Sequence, residues 1–279
     1  MPVITKQTAN NRKQHSKTGG ILNRLRPIQD FEEEGVKICI YGKSGTGKTK
    51  AWSSFPKPIL AALCSGAGET RTIKNVKDIT GEYLRDEAEL AELVQHQRET
   101  GKYKTIVLDH TTSYQDLMFK KVVGTDAPAQ LAWGSATQEQ WGLISLGVKE
   151  RLRDMLSLAC NVVLISQERE YNTDQSVSDI IKPYVNMAMS PSITGWIGPN
   201  VDYLVQAYLR MATVTTTKQV GTKTIEKEVE QVQYCLRTGP SPVYATKFRL
   251  AGGSDRLPEC LVLKQADSAY EKIVALING

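Results

Sequence analysis

Much that would assign this chain of 279 residues quickly is missing from it. No run approaches the ~18 uninterrupted apolar residues of a membrane span, and the opening MPVITKQTANN lacks the apolar stretch of a secretory signal. The expectation is a soluble, cytoplasmic protein with no membrane partner. There is no C-x-x-C pair: Cys39, Cys64, Cys160, Cys235 and Cys260 stand singly, mostly inside apolar runs, and read as reduced core residues. No internal repeat and no linker between independent domains is evident. A net charge on the body of the chain is missing too. The formal +5 is accounted for by residues 1–30, where Lys6, Arg12, Lys13, Lys17, Arg24 and Arg26 face only Asp30. What remains is formally neutral, so the overall charge is no evidence of nucleic-acid binding, and any basic surface on the body must be local.

What is present suffices for a folded domain, with 41% hydrophobic and 23% charged residues, and excludes a disordered chain. Residues 1–30 read as a flexible basic tail, either a solubilising terminus or a contact for nucleic acid or a neighbouring subunit. Residues 31–279 read as one α/β domain. Short apolar runs at 36–41, 59–64, 104–109 and 160–166 predict buried strands, and 201–209, 232–237 and 260–263 predict further ones. Helical patterns at about 84–98, 112–122 and 137–158 alternate with the early strands, which indicates a mainly parallel sheet covered on both faces. From 201 to 237 the spacing shortens around Gly221, and an antiparallel hairpin appended to that sheet is expected.

Gly42-Lys43-Ser44-Gly45-Thr46-Gly47-Lys48-Thr49 is a full G-x-x-x-x-G-K-T match, placed directly after a predicted strand. Glycines let the backbone curl around phosphate oxygens, whose charge is met by inward N–H groups and the start of the following helix. Lys48 is then expected on the β- and γ-phosphates and the Thr49 hydroxyl on Mg²⁺, making ATP and Mg²⁺ the expected ligands. A carboxylate at the tip of a neighbouring strand is the other requirement, and the run Thr105-Ile106-Val107-Leu108-Asp109 supplies Asp109; that residue could also cap the helix that follows. His110 stands where simple AAA-type proteins place a Glu, either as a weak candidate base or bonded within its own turn.

In order along the chain, the phosphate loop, the strand tip before Glu69, Asp109, the strand 160–166 ending in Gln167, and Lys247-Phe248-Arg249 resemble RecA-type ATPases. The chain is most similar to the RecA-like core ATPases of bacteriophages, nucleotide-binding proteins with an AAA domain, some of which act in single-strand annealing and recombination. The resemblance covers about residues 35–250. It implies a P-loop fold of RecA-like type and a homo-oligomer, ring or filament, that hydrolyses ATP on single-stranded DNA. A single-strand-binding protein or another replication or recombination protein is a further implied partner. It also implies roles: Glu69 polarising water near the γ-phosphate, against a plain solvated glutamate; Gln167 as a polar sensor, against an ordinary strand end; and Lys247 and Arg249 reaching the neighbouring subunit's γ-phosphate, against a solvated strand. Segments 123–136 and 168–182 would face DNA, with Trp133 and Tyr171 either stacking on bases or packing. The second segment departs from that expectation, since Glu168, Glu170, Asp174 and Asp179 outnumber Arg169 and Lys182.

Two other classes compete: a nucleotide-gated loader or scaffold with little hydrolysis, and a P-loop small-molecule kinase. The kinase is disfavoured because no compact arginine-rich lid is present; Arg151 and Arg153 come nearest, and their spacing sets them on different helix faces.

Overall fold

The computed structural model describes residues 35–66, 68–124, 136–171, 185–220, 223–250, 257–264 and 267–279. The basic tail expected at 1–30, and the greater part of the segments expected to face DNA, including Trp133, lie outside these residues.

The chain runs β1 (Lys37–Tyr41), α1 (Lys48–Ser53), β2 (Ile59–Leu63), α2 (Gly68–Ile73), β3 (Ile79–Tyr83), α3 (Ala88–Thr100), β4 (Thr105–Asp109), α4 (Thr111–Val123), α5 (Gln138–Leu156) and β5 (Asn161–Ser166). Then come β6 (Glu168–Glu170), β7 (Val185–Met187), α6 (Pro191–Asn200), β8 (Tyr203–Val220), β9 (Lys223–Arg237), β10 (Lys247–Phe248), β11 (Cys260–Leu263) and α7 (Ala269–Asn278). The main sheet has the order β11-β9-β8-β1-β5-β4-β2-β3, with β10 paired to the start of β8. From β3 across to β8 the neighbours are parallel, whereas β8, β9 and β11 pair antiparallel. This is the mixed α/β architecture expected, with a mostly parallel centre and an antiparallel extension.

Alternation along the central strands explains why both faces are covered. Ile38, Ile40, Ile59, Ala61, Val107, Val163 and Ile165 point to one side, where Trp52 of α1, Phe55 just beyond that helix and Ile273 of α7 pack. Cys39, Leu60, Ile106, Leu108, Val162 and Leu164 point to the other, against Leu90, Tyr114, Met118, Ile144, Leu152 and Ile197 of α3 to α6. Period-two side chains that are apolar on both faces are what a strand buried on both sides requires, and each fully buried aliphatic contributes about 1.5–3 kcal/mol.

Helix starts are fixed locally. Thr137 and Gln140 form a reciprocal capping box at α5, and the Ser268 hydroxyl accepts from the Glu271 N–H at α7. The cysteines are all free, with Cys39, Cys160 and Cys235 buried as expected. Among the described residues no helix is long and apolar enough to cross a membrane.

Several elements were not evident from periodicity, the short strands β6 and β7 among them. β3 is an edge strand with an exposed centre, Thr80-Gly81-Glu82. α6 carries Gly195, Gly198 and Pro199, which read as turn residues. α2 is only six residues long, and α7 closes the chain beyond the expected strands. The hairpin is present but longer than expected, since β8 and β9 stay paired from Gln206↔Arg237 to Val220↔Lys223.

Parallel strands share a carboxyl edge, and there the crossovers leave a cleft for ligands. The register puts Tyr41 beside Ser166, and Ile165 beside Asp109. The loop after β1, the residue after β5 and the end of β4 therefore stand in a row, with β5 in the middle.

Candidate functional site

The phosphate loop leaves β1 at Gly42 and enters α1 at Lys48. A Cβ on Gly42 would lie 2.2 Å from the Ala207 carbonyl oxygen, so β8 leaves room for no side chain there. Gly47, the N-cap of α1, has φ +86, a left-handed conformation natural to glycine. Within the curve, the Lys48 ammonium donates to the Gly42 carbonyl at 2.7 Å, the Lys43 carbonyl at 2.8 Å and Gln167 Oε1 at 3.4 Å. The Thr46 hydroxyl donates to the Lys43 carbonyl at 2.8 Å. Lys43, Ser44 and Gly45 form the exposed outer turn, with their backbone N–H groups available to an anion.

Asp109 ends β4 and is 3% exposed. Its Oδ2 accepts from the Trp52 indole N–H at 2.8 Å, and the Thr49 hydroxyl also bonds this carboxylate. Burial raises the Asp109 pKa, opposed by Trp52, the Lys48 charge and Thr49. Burial likewise lowers the pKa of Lys48, opposed by the charges of Asp109 and Glu168. A phosphate chain and a cation entering here would exchange these desolvated partners for stronger ones. The donor set suits Mg²⁺: two hard oxygens, Thr49 Oγ1 and Asp109 carboxylate, already in contact, with phosphate and water oxygens to complete the coordination.

Gln167 is fixed from behind. The Thr112 hydroxyl accepts from its N–H at 3.3 Å, and its carbonyl accepts from the Ala188 N–H at 2.8 Å. Its side chain reaches the Lys48 ammonium, so the structure brings Lys48, Thr49, Asp109 and Gln167 together.

His110 is the N-cap of α4. Its Nδ1 accepts from the Ser113 N–H at 3.1 Å, so the ring proton sits on Nε2, 3.4 Å from the Ser113 hydroxyl. Burial first, and then the Lys48 charge, push its pKa down to about 4. The imidazole is neutral at ordinary pH, with both nitrogens engaged in its own turn. Glu69 is the second residue of α2, just beyond the tip of β2; only its backbone position is described. Tyr171 packs: its hydroxyl donates to the Met187 carbonyl at 2.7 Å and contacts the Met189 carbonyl.

Lys247 and Arg249 lie elsewhere in their own chain. β10 pairs with Tyr203 and Leu204, which align with Ile38 and Cys39 at the start of β1, toward the edge opposite the loop. The Lys247 ammonium donates to the carbonyls of Gly198, Pro199 and Val201 at 2.9, 3.0 and 2.6 Å. Arg249 pairs with Asp202 at 2.7 Å and also donates to Pro199. Both cations satisfy the orphan carbonyls at the end of α6. Lys247→Ala is expected to lower unfolding stability by about 1–2 kcal/mol and leave ATP affinity unchanged, as urea unfolding and calorimetry would show.

Two partners in the site gave no motif signal. Trp52 lies one turn after Lys48 on α1, and the spacing of four sets both on one helix face. Glu168 follows Gln167 and accepts from Gln206 Nε2 at 2.7 Å; Gln206 in turn accepts from Arg237, which lies between the rings of Tyr208 and Tyr244 at 4.6 Å from each. Of the two lid candidates, Arg151 pairs with Asp154 and Arg153 lies over Trp196, both away from the loop.

A family model described as an AAA domain matches residues 34–250. The chain belongs to the AAA-domain family. A comparison with curated proteins returns no match. In this AAA-domain protein the matched span contains the phosphate loop, Asp109, Gln167, Lys247 and Arg249, so every residue singled out by spacing falls inside the family region. An AAA domain is a nucleotide-binding ATPase domain, and the loop described above supplies its phosphate cradle.

Proposed function

We propose that the protein is a RecA-like ATPase that assembles into a homo-oligomer on single-stranded DNA for recombination, annealing or replication. The observation that carries the reading is the placement of Gln167. It directly follows β5, the strand inserted between the loop strand and the Asp109 strand, lies within reach of Lys48, and leads straight into β6. A polar group there senses the terminal phosphate and passes its presence into the segment that follows. The antiparallel strands appended beyond β8 also suit a RecA-like core.

In the reaction, Lys48 and the loop N–H groups hold the β- and γ-phosphates and offset the charge that spreads over the transferred group. Thr49 and Asp109 would hold Mg²⁺, which when bound neutralises charge on the same phosphate oxygens. Glu69, brought by α2 to the carboxyl edge, is the group proposed to polarise the attacking water. In the assembly Arg249, whose side chain is 57% exposed, reaches toward the neighbour's nucleotide, while Lys247 remains with α6. The excess positive charge of residues 1–30 supplies non-specific attraction to DNA phosphates.

Turnover of ATP with and without single-stranded DNA tests the proposal, together with particle sizing in a slowly hydrolysed ATP analogue. Stimulated turnover and growth of a large species on DNA are the expected results. Normal ATP binding without stimulation and without assembly on DNA would overturn it in favour of a nucleotide-gated loader.

A further inference from the structure

The apolar face of the β8–β9 ribbon does not stop where the core stops. Ala207 and Leu236, directly opposite each other, are buried with α1 and α7. The next pair outward on that face is Leu209 and Tyr234, 45% and 44% exposed, and the next is Met211 and Val232, 61% and 48% exposed. A solvated ribbon face normally turns polar as soon as it leaves the core. Here the change comes only at Thr213 and Glu230.

This strip borders the phosphate loop. A Cβ built on Gly47 would meet Tyr234 Cδ1 at 3.0 Å and Cε1 at 3.6 Å, so the tyrosine ring lies against the N-cap of α1. The side on which it lies matters. Gln167 and Asp109, which mark the terminal-phosphate end of the site, stand at the carboxyl ends of β5 and β4, to one side of β1. β8 and β9 are on the other side of β1. A triphosphate threaded through the loop with its γ-phosphate at Lys48 and Asp109 therefore delivers its nucleoside to the side of Tyr234.

We propose that Tyr234, flanked by Leu209 and Met211, is the platform that receives the nucleotide base. This deepens, and rests on, the reading of residues 42–49 as a triphosphate site. A half-exposed aromatic ring held between neighbouring strands presents a fixed flat surface, which a purine covers better than water does. Of the four exposed side chains in the strip only Tyr234 carries a polar atom. Base recognition here therefore runs through stacked area more than through hydrogen bonds, and ATP and GTP bind with similar strength.

The test is calorimetric binding of ATP and of inorganic tripolyphosphate, each with Mg²⁺, to the full-length chain and to Tyr234→Ala, Tyr234→Phe and Lys48→Ala. Tyr234→Ala is expected to weaken ATP about tenfold and to leave tripolyphosphate unchanged, while Tyr234→Phe keeps the affinity for ATP. Lys48→Ala is expected to weaken both ligands. If Tyr234→Ala weakens both ligands alike, the ring merely props the loop and the platform is overturned. If it weakens neither, even with a changed particle size, the strip is a protein contact and the platform is likewise overturned. If instead Lys48→Ala weakens neither ligand, the triphosphate site itself fails, and the platform falls with it.

Discussion

Lys48→Ala is expected to reduce affinity for Mg²⁺-ATP by two orders of magnitude or more, roughly the cost of stranding buried phosphate charge without its cation, and to abolish measurable turnover. The ammonium is held in place by the Gly42 and Lys43 carbonyls and Gln167, so the cation stands ready where the phosphates arrive. Arginine does not substitute: its broad planar fork cannot enter a curl shaped around a compact ammonium, and Lys48→Arg should resemble the alanine variant. Equilibrium binding and steady-state phosphate release on both variants check this. Retained tight binding would remove the phosphate loop from the mechanism.

Trp52→Phe is the second large effect, and it works through Asp109. The substitution keeps most of the buried ring but deletes the indole N–H that donates to the carboxylate at 2.8 Å. A loss of about 2 kcal/mol in unfolding stability is expected from the small cavity and the lost charge-assisted bond. The pH consequence has a definite sign. Burial already raises the Asp109 pKa, and Trp52 is the largest influence opposing that rise. Without Trp52 the carboxyl holds its proton to higher pH, and the anionic oxygen needed beside the cation forms later. The acid limb of Mg²⁺-dependent turnover therefore moves to higher pH. Stability follows the same linkage: a carboxyl whose folded pKa exceeds its unfolded value costs stability as pH rises through the folded value, and the variant enlarges that cost. Turnover profiles and unfolding midpoints measured across the acid range would show both changes. An unmoved acid limb would mean that Asp109 does not govern cation binding.

The parts of this arrangement that could be read in advance share one property: a single local stretch carries the whole signal. The loop is eight consecutive residues whose glycines and lysine have fixed jobs, and Asp109 closes an uninterrupted apolar run. The central strands announce themselves because burial on both faces leaves them no polar positions. Where burial is one-sided or slight, the signal fades: the exposed middle of β3 and the Gly/Pro-bearing α6 resemble loops in sequence. β8 continues well past the expected 209 because its Thr-rich outer half needs only a partner strand, not a core.

The site was legible to the same degree. Gln167 was legible because it directly follows a conspicuous strand. Trp52 and Tyr234 were not, since one is an ordinary apolar residue on a short helix and the other lies far along the chain from the loop it touches. Lys247 and Arg249 show the converse. Their spacing points to a neighbour's nucleotide, and within the chain Lys247 also holds the carbonyl end of α6 while Arg249 pairs with Asp202 and Pro199, contacts that a pattern of two cations cannot express.

The closeness of Gly42 to Ala207 has a mechanical consequence. β8 and β9 remain paired over the fifteen positions from Gln206 to Val220, an arm of about 45 Å at strand rise, and the arm is seated where β8 touches the first residue of the phosphate loop. With so little clearance at the seat, a side chain at position 42 would have to displace the root of the ribbon, so the shape of the phosphate loop and the seating of the arm are set by one contact.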